Sequence, residues 1–363
     1  MKKAKKIFIT DCEGPISKND NAFELACHFI PEGEKFFTQT SRYDDVLADI
    51  VKRDGYKAGN TLKLIVPFLK AHEITNKKMV EFSARNILLM AGAKDTLQFL
   101  KGKMLSFIVS TSYEHYIRVL CRALDFPYEN TYCTTLNIDA YYMGSEEKEK
   151  LKQFRQEICA MPLIEIPERA TSVQDFSERN QQTMKRLDNI FWEEIMQMES
   201  GTMLKEVNPV GGVEKAKTVR NIVNKAGTVL SSVMYVGDSI TDVDCFRLVR
   251  ENGGFTVSFN GNAYAVREAE VAVLSTNAVV VAVIADVFNR LGKASAYNLI
   301  DSWGYTGLKK YNVNPSLQKK LHNLFPETLP KVSKIMANNM KELAIESSAF
   351  RKLVRGEKVG RLG

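Results

Sequence analysis

Short, mostly apolar runs that stop at a polar turn recur along this chain, with helix-length stretches between them. Ile7-Phe8-Ile9 ends at Thr10-Asp11, Leu105 to Val109 ends at Ser110-Thr111-Ser112, and Val233 to Val236 ends at Gly237-Asp238. Phe255 to Phe259 and Val271 to Leu274 are two more such runs. Mostly apolar runs this short, bounded by turns, fit buried strands. Spaced by helices, they predict an α/β fold with a parallel, doubly wound sheet. The carboxyl ends of such strands gather on one edge, where open α/β sheets bind ligands. Asp11, Ser110 and Asp238 should therefore converge.

The intervening segments are not uniform. From 18 to 95, apolar residues recur at helical spacing (Phe23, Ala26, Cys27; Val46 to Val51; Leu62 to Leu69). From 145 to 200 a charged helical stretch is broken by Pro162 and Pro167, and a second runs from Ser177 to Met198. Phe191, Trp192, Ile195 and Met198 in that stretch need an apolar surface to pack on, which argues an inserted helical module over a disordered linker. Val213 to Lys225 reads as a further helix.

Several classes of function are disfavoured. The longest apolar run, Ala278 to Ala285, is closed by Asp286 and falls far short of the ~20 residues of a membrane span. Met1 to Lys6 is basic like the start of a signal peptide, but only Ile7-Phe8-Ile9 follows, so no secretion is expected. Cysteines 12, 27, 121, 133, 159 and 245 form no CxxC pair and no cluster with histidine, which predicts free thiols in a reducing cytoplasm and no zinc site. The net charge of +7 is concentrated: Lys309 to Gly363 carries 12 Lys and Arg against 4 Asp and Glu, leaving the rest near −1. The basic tail could meet an acidic partner, but with no basic catalytic region no specific nucleic acid is expected. Because its charge lies outside the motif segments, the tail is expected to sit apart from the site.

The polar turns carry complementary chemistry. Asp11 and Glu13, one residue apart, can divide nucleophile and acid/base roles. A carboxylate attacking a phosphate dianion faces strong like-charge repulsion in a dry site. A divalent cation held by Asp11 and Asp238 would offset it, and Mg²⁺ suits carboxylate oxygens. Ser110 offers a hydroxyl to a phosphoryl oxygen, and Lys215, in Gly211-Gly212-Val213-Glu214-Lys215-Ala216-Lys217, offers positive charge. Cys12 between the two acids should point away from Asp11, because side chains alternate along an extended segment.

Asp11-Cys12-Glu13-Gly14, Phe107-Ile108-Val109-Ser110, Lys215 and Tyr235-Val236-Gly237-Asp238-Ser239-Ile240-Thr241-Asp242, in that order, resemble the haloacid dehalogenase (HAD) superfamily, most closely its phosphoserine-phosphatase-like branch. Asp11 to Ala26 is similar to that branch's opening segment throughout, as is the run from Ala91-Gly92-Ala93 to Ser110. The resemblance implies Asp11 as nucleophile, Glu13 as acid/base, Ser110 and Lys215 as phosphate holders, and Mg²⁺ bound by Asp11, the Glu13 carbonyl and Asp238, with Asp242 nearby. It also maps substrate contacts onto Asp20, Thr111 and Lys63. The chain departs from the branch's pattern at several of these places. Glu13 stands where the family usually has Asp, as in enolase-phosphatase-like and phosphotransferase-like members. Thr111 and Ser112 replace two glycines, and Lys63 replaces a carboxylate-binding arginine. Losing that bidentate fork argues against phosphoserine as substrate.

The same resemblance implies a HAD-like Rossmannoid core (1–17 with 96–140 and 205–290), a helical cap (18–95), a helical insert (141–204) and a basic helical C-terminal extension (291–363). The expected function is Mg²⁺-dependent hydrolysis of a small phosphorylated metabolite through an aspartyl-phosphate. The alternatives are phosphotransfer to a small alcohol, and a non-catalytic HAD-fold subunit of a larger assembly. The whole-chain layout is also similar, distantly, to archaeal HAD-like proteins catalogued as an energy-converting hydrogenase accessory subunit.

Overall fold

The structure is a computed structural model that describes residues 5–167 and 170–362; the first four residues of the basic start Met1 to Lys6 lie outside them. Seven strands form one sheet: β1 (Ile7–Thr10), β2 (Leu105–Tyr113), β3 (Thr131–Thr134), β4 (Val233–Gly237), β5 (Phe255–Phe259), β6 (Val271–Leu274) and β7 (Lys331–Lys334). Their order is β3-β2-β1-β4-β5-β6-β7. All pairings are parallel except β6 with β7. The chain moves outward from β1 through β2 to β3, then returns to β4 on β1's other side. That reversal opens a crevice at the carboxyl ends of β1, β2 and β4.

Every residue of β1, β4, β5 and β6 is buried, Thr256 and Ser258 of β5 included. The helices are α1 (Asn21–Phe29), α2 (Gly33–Asp45), α3 (Thr61–Ala71), α4 (Asn76–Asn86), α5 (Ala93–Leu100), α6 (Glu114–Leu124), α7 (Ser145–Ala160), α8 (Glu178–Asp188), α9 (Gly201–Glu206), α10 (Val213–Lys225), α11 (Val243–Glu251), α12 (Ala263–Glu268), α13 (Val279–Leu291), α14 (Lys293–Asp301), α15 (Tyr305–Lys310), α16 (Pro315–Leu324), α17 (Met340–Arg355) and α18 (Glu357–Gly360). Alternate residues of each strand feed opposite cores. Phe8, Ile108 and Val236 pack with α5, α6 and α13, while Ile7, Ile9 and Tyr235 pack with α10 and α11. Helices on both faces make this a doubly wound α/β arrangement. No helix among the described residues is long and apolar enough to cross a membrane.

The cap segment and the insert share one core. Phe36 meets Phe68 at a tilt with ring centroids 4.6 Å apart, and Tyr43 stacks on Phe191 of the insert at 5.8 Å. Leu151, Phe154 and Leu187 join the same cluster, so the two form a single helical lobe over the crevice. Trp192 donates to the Tyr43 hydroxyl at 2.9 Å, which satisfies its indole N–H inside that lobe.

The C-terminal extension is not purely helical. It supplies β7, whose residues pair with β6 from Val271↔Lys334 to Leu274↔Lys331 and close the sheet's edge. From there α17 runs back over α12 toward the crevice. Contrary to the expectation of a tail apart from the site, Arg351 and Arg355 are buried there.

Candidate active site

Asp11 follows β1 directly, and its backbone N–H donates to Val236 O at 2.8 Å, tying it to β4. One carboxylate oxygen accepts the Cys12 N–H at 2.7 Å; the other pairs with Lys215 Nζ at 2.9 Å. Lys215 reaches in from the first turn of α10, is fully buried, and also pairs with Asp242 at 2.8 Å. The Thr241 hydroxyl lies 3.2 Å from the same nitrogen. Cys12 itself is buried in the core, as the alternation predicted.

Asp242 has both oxygens engaged. Oδ1 accepts from Lys215 and from the Tyr235 hydroxyl at 2.7 Å, and Oδ2 accepts the backbone N–H groups of Asp238 at 2.9 Å and Ser239 at 3.1 Å. These bonds hold Asp242 low in its titration, chiefly through Lys215, despite burial. Its geometry makes it the residue that shapes the Asp238 turn and holds Lys215.

Asp238 faces Asp11 across the crevice. Gly14 is needed for that approach: its φ is +103°, and a Cβ there would lie 2.1 Å from Asp238 Oδ2. Oδ2 accepts from Arg351 and, at 3.1 Å, from Arg355. Glu13 lines the same crevice and accepts the Asn21 N–H at 2.8 Å. Asp20 caps α1 by accepting from Phe23 at 3.0 Å, and also lines the crevice. Ser110 is buried and accepts from the Ser112 N–H at 3.2 Å. Thr111 lines the crevice with a buried hydroxyl that has no partner among the described residues, a donor an anion would satisfy. Lys63 does not line the crevice; its neighbours Thr61 and Leu62 do.

The cavity is small, about 80 Å³, and strongly acidic. Asp11, Glu13, Asp20, Asp44, Asp45 and Asp238 line it, against Arg351 and Arg355, with Lys215 behind Asp11. Burial, then the charge of Asp242, pushes Asp11 up to about 7 while Lys215 pulls it down. Burial likewise raises Glu13, Asp20 and Asp238. Lys215 is driven above its ordinary value by Asp11 and Asp242, against the cost of burial.

Oxygen atoms of Asp11, Asp238 and Asp242 lie within 4.8 Å of one another. Hard carboxylate oxygens are the donor type that a hard divalent cation such as Mg²⁺ takes. Both Asp11 oxygens and Asp238 Oδ2 already have protein partners, so a cation here would share them with Lys215 and the two arginines.

The sequence missed Arg351, Arg355 and Tyr235. Tyr235 alternates onto the α11 face of β4, yet its hydroxyl turns back to Asp242. The i, i+4 spacing of the arginines puts both on one face of α17, but nothing local says that this face meets Asp238.

No family model matches the chain, and no curated protein does. A solved structure, gene product AF1437 from Archaeoglobus fulgidus, is 26% identical with a TM-score of 0.81, over 99% of both chains. A phospho-aspartyl intermediate analogue of phosphoserine phosphatase aligns over 74% of this chain and 93% of its own at 14% identity and TM-score 0.44. A substrate-bound phosphoserine phosphatase complex aligns over 76% and 96% at 13% identity and TM-score 0.46. At those scores neither phosphatase structure bears on the site. The chain is an α/β protein of HAD-like fold whose whole architecture, C-terminal extension included, is similar to that of the Archaeoglobus protein.

Proposed function

We propose that this chain hydrolyses a small phosphomonoester with Mg²⁺, through an aspartyl-phosphate on Asp11. The observation that carries the proposal is the buried chain Asp11–Lys215–Asp242, with 2.9 and 2.8 Å contacts, set beside Asp238 at the carboxyl edge of the sheet. A lysine held between two carboxylates pulls Asp11 back toward its ionised form, to about 7, in surroundings that otherwise favour the protonated form. In the first step the Asp11 carboxylate bonds to phosphorus as the ester P–O bond breaks and its electron pair leaves with the alkoxide. Glu13, kept protonated by burial, delivers its proton to that oxygen. In the second step Glu13 takes a proton from water, whose oxygen attacks phosphorus and releases phosphate and free Asp11. Ser110 and the unpartnered Thr111 hydroxyl would hold phosphoryl oxygens. Asp11, Asp238 and the Glu13 carbonyl would hold Mg²⁺, which supplies charge neutralisation to the incoming phosphate.

The six cysteines are unpaired, in keeping with action in a reducing cytoplasm. Asp20 and Thr111 are the proposed substrate contacts; Lys63, outside the crevice, has no part in this scheme. The exposed basic residues of the extension remain candidates for an acidic partner. A panel of phosphomonoesters assayed with and without Mg²⁺ tests the proposal: metal-dependent phosphate release supports it, and none with any substrate opposes it.

The two guanidiniums on Asp238 favour a second reading, a non-catalytic subunit in which arginine stands where a cation would bind. Mg²⁺ with fluoroberyllate, a phosphate mimic, separates the two. A bound complex raises the melting temperature by mass action, and no shift at millimolar levels favours the non-catalytic subunit.

A further inference from the structure

The last helical turns of the chain cross from the core to the cap. On the core side the Ser347 hydroxyl donates to Gly261 O at 2.7 Å, and Arg351 donates to Asp238 Oδ2 and, at 3.3 Å, to Asp238 O. Arg355 faces both ways. Its Nε donates to Lys18 O at 3.1 Å and a terminal nitrogen donates to Asn19 O, at the hinge from which α1 departs. Its other terminal nitrogen reaches Asp238 Oδ2 at 3.1 Å. Farther along, Lys358 pairs with Glu34 of α2 at 2.6 Å, and Val359 and Leu362 pack into the apolar core of the cap.

Leu362, Arg351 and Arg355 also line the cavity, which at about 80 Å³ is well under the ~300 Å³ at the low end of small-molecule pockets. A phosphomonoester can enter only if the cap, or the segment crossing it, moves. Arginine suits a crossing point because its fixed fork of five donors can serve three acceptors at once, which lysine's single nitrogen cannot match in geometry.

We propose that α17 and α18 form a strap that holds the cap closed on the core, with Arg355 the positioning residue that ties the cap hinge to Asp238. Cap closure and the setting of Asp238 then form one two-state element, because the same guanidinium holds the hinge carbonyls and the carboxylate. Only the consequence for turnover rests on the phosphatase reading; the strap itself rests on the contacts.

Hydrogen exchange followed by mass spectrometry, on the full chain without metal or substrate, tests the strap. Arg355→Ala should speed exchange in residues 18–31 and 357–362 by at least about tenfold while β1 and β4 keep their protection. Arg355→Lys, which keeps the charge but not the fork, should fall between. The Lys358→Ala, Leu362→Ala double variant, which leaves Asp238 untouched, should loosen the same segments. Unchanged exchange in the cap hinge of folded variants overturns the strap, as does equal acceleration in every strand, which would mean general destabilisation. Where wild-type turnover is found, Arg355→Ala should change kcat and KM together, as lid variants do. An intact exchange response in a chain that never turns over a phosphomonoester leaves the strap standing and removes the phosphatase reading alone.

Discussion

Lys215→Met removes the one cation between two buried carboxylates, and the structure sets the size of the effect. Lys215 and Asp242 are fully buried and Asp11 nearly so, so solvent screens these pairs little. Breaking a buried pair from one side costs about 3–5 kcal/mol, because a carboxylate is left without its partner. At about 2.1 cal/mol/K of unfolding entropy per residue, 363 residues unfolding together would lose roughly 4–7 °C in Tm. Catalysis should suffer more. Without Lys215, burial and the charges of Asp242 and Asp238 push Asp11 above its value of about 7, and each further unit leaves about tenfold less nucleophile at neutral pH. Loss of charge stabilisation at the phosphoryl group adds roughly 10²-fold, so kcat/KM at neutral pH should fall by about 10³-fold or more. The assay is a pH–rate profile beside thermal unfolding: the acid limb should move to higher pH in the variant. Adding Asp11→Asn should restore part of the stability by removing one stranded charge. A Lys215→Met protein that loses under about 1 kcal/mol and keeps its acid limb would show that the pairs are solvated, and the electrostatic account would fail.

Two further perturbations probe the crevice. Glu13→Gln removes the proton donor without changing shape, so turnover of an ester with a poor leaving group should fall about 10²–10⁴-fold, with a smaller loss for an activated ester; equal losses would argue against Glu13 as the acid. Burial, then Asp44, pushes the Asp45 carboxyl up to about 8, against Arg42. An unfolded Asp titrates near ~3.9, so the folded state holds a proton the unfolded chain releases, and stability is lost as pH rises from about 4 through about 8. Asp45→Asn carries no such proton and should lose less between about pH 5 and pH 8, by up to about 4 kcal/mol in urea unfolding; parallel pH curves would place Asp45 in water.

The core was legible because its signals are local. Five apolar runs became β1, β2, β4, β5 and β6, and Val213 to Lys225 became α10. The site was legible because strand ends deliver Asp11 and Asp238 whatever the cap does. What the sequence hid depends on distant partners. β3 is the four residues TYCT, and β7 is a charged edge strand defined only by its pairing with β6. The basic tail reads as a solvated face because charge count cannot distinguish the exposed Lys341 of α17 from Arg351 and Arg355, buried against Asp238. Lys63 rests on analogy of position, and the turn at Gly59, held by Asp44 through the N–H groups of Gly59 and Thr61 at 3.0 Å, brings Thr61 to the crevice instead.

The central claim is a covalent bond between Asp11 and phosphorus. Acid-quenching the Mg²⁺-loaded chain during turnover of a phosphomonoester, then digesting it and weighing the peptide that carries Asp11, tests that bond. A phosphoryl mass on Asp11 in the wild type, absent from Asp11→Asn together with turnover, is the predicted result. Phosphate release that persists in Asp11→Asn, or a label on any other residue, would contradict it.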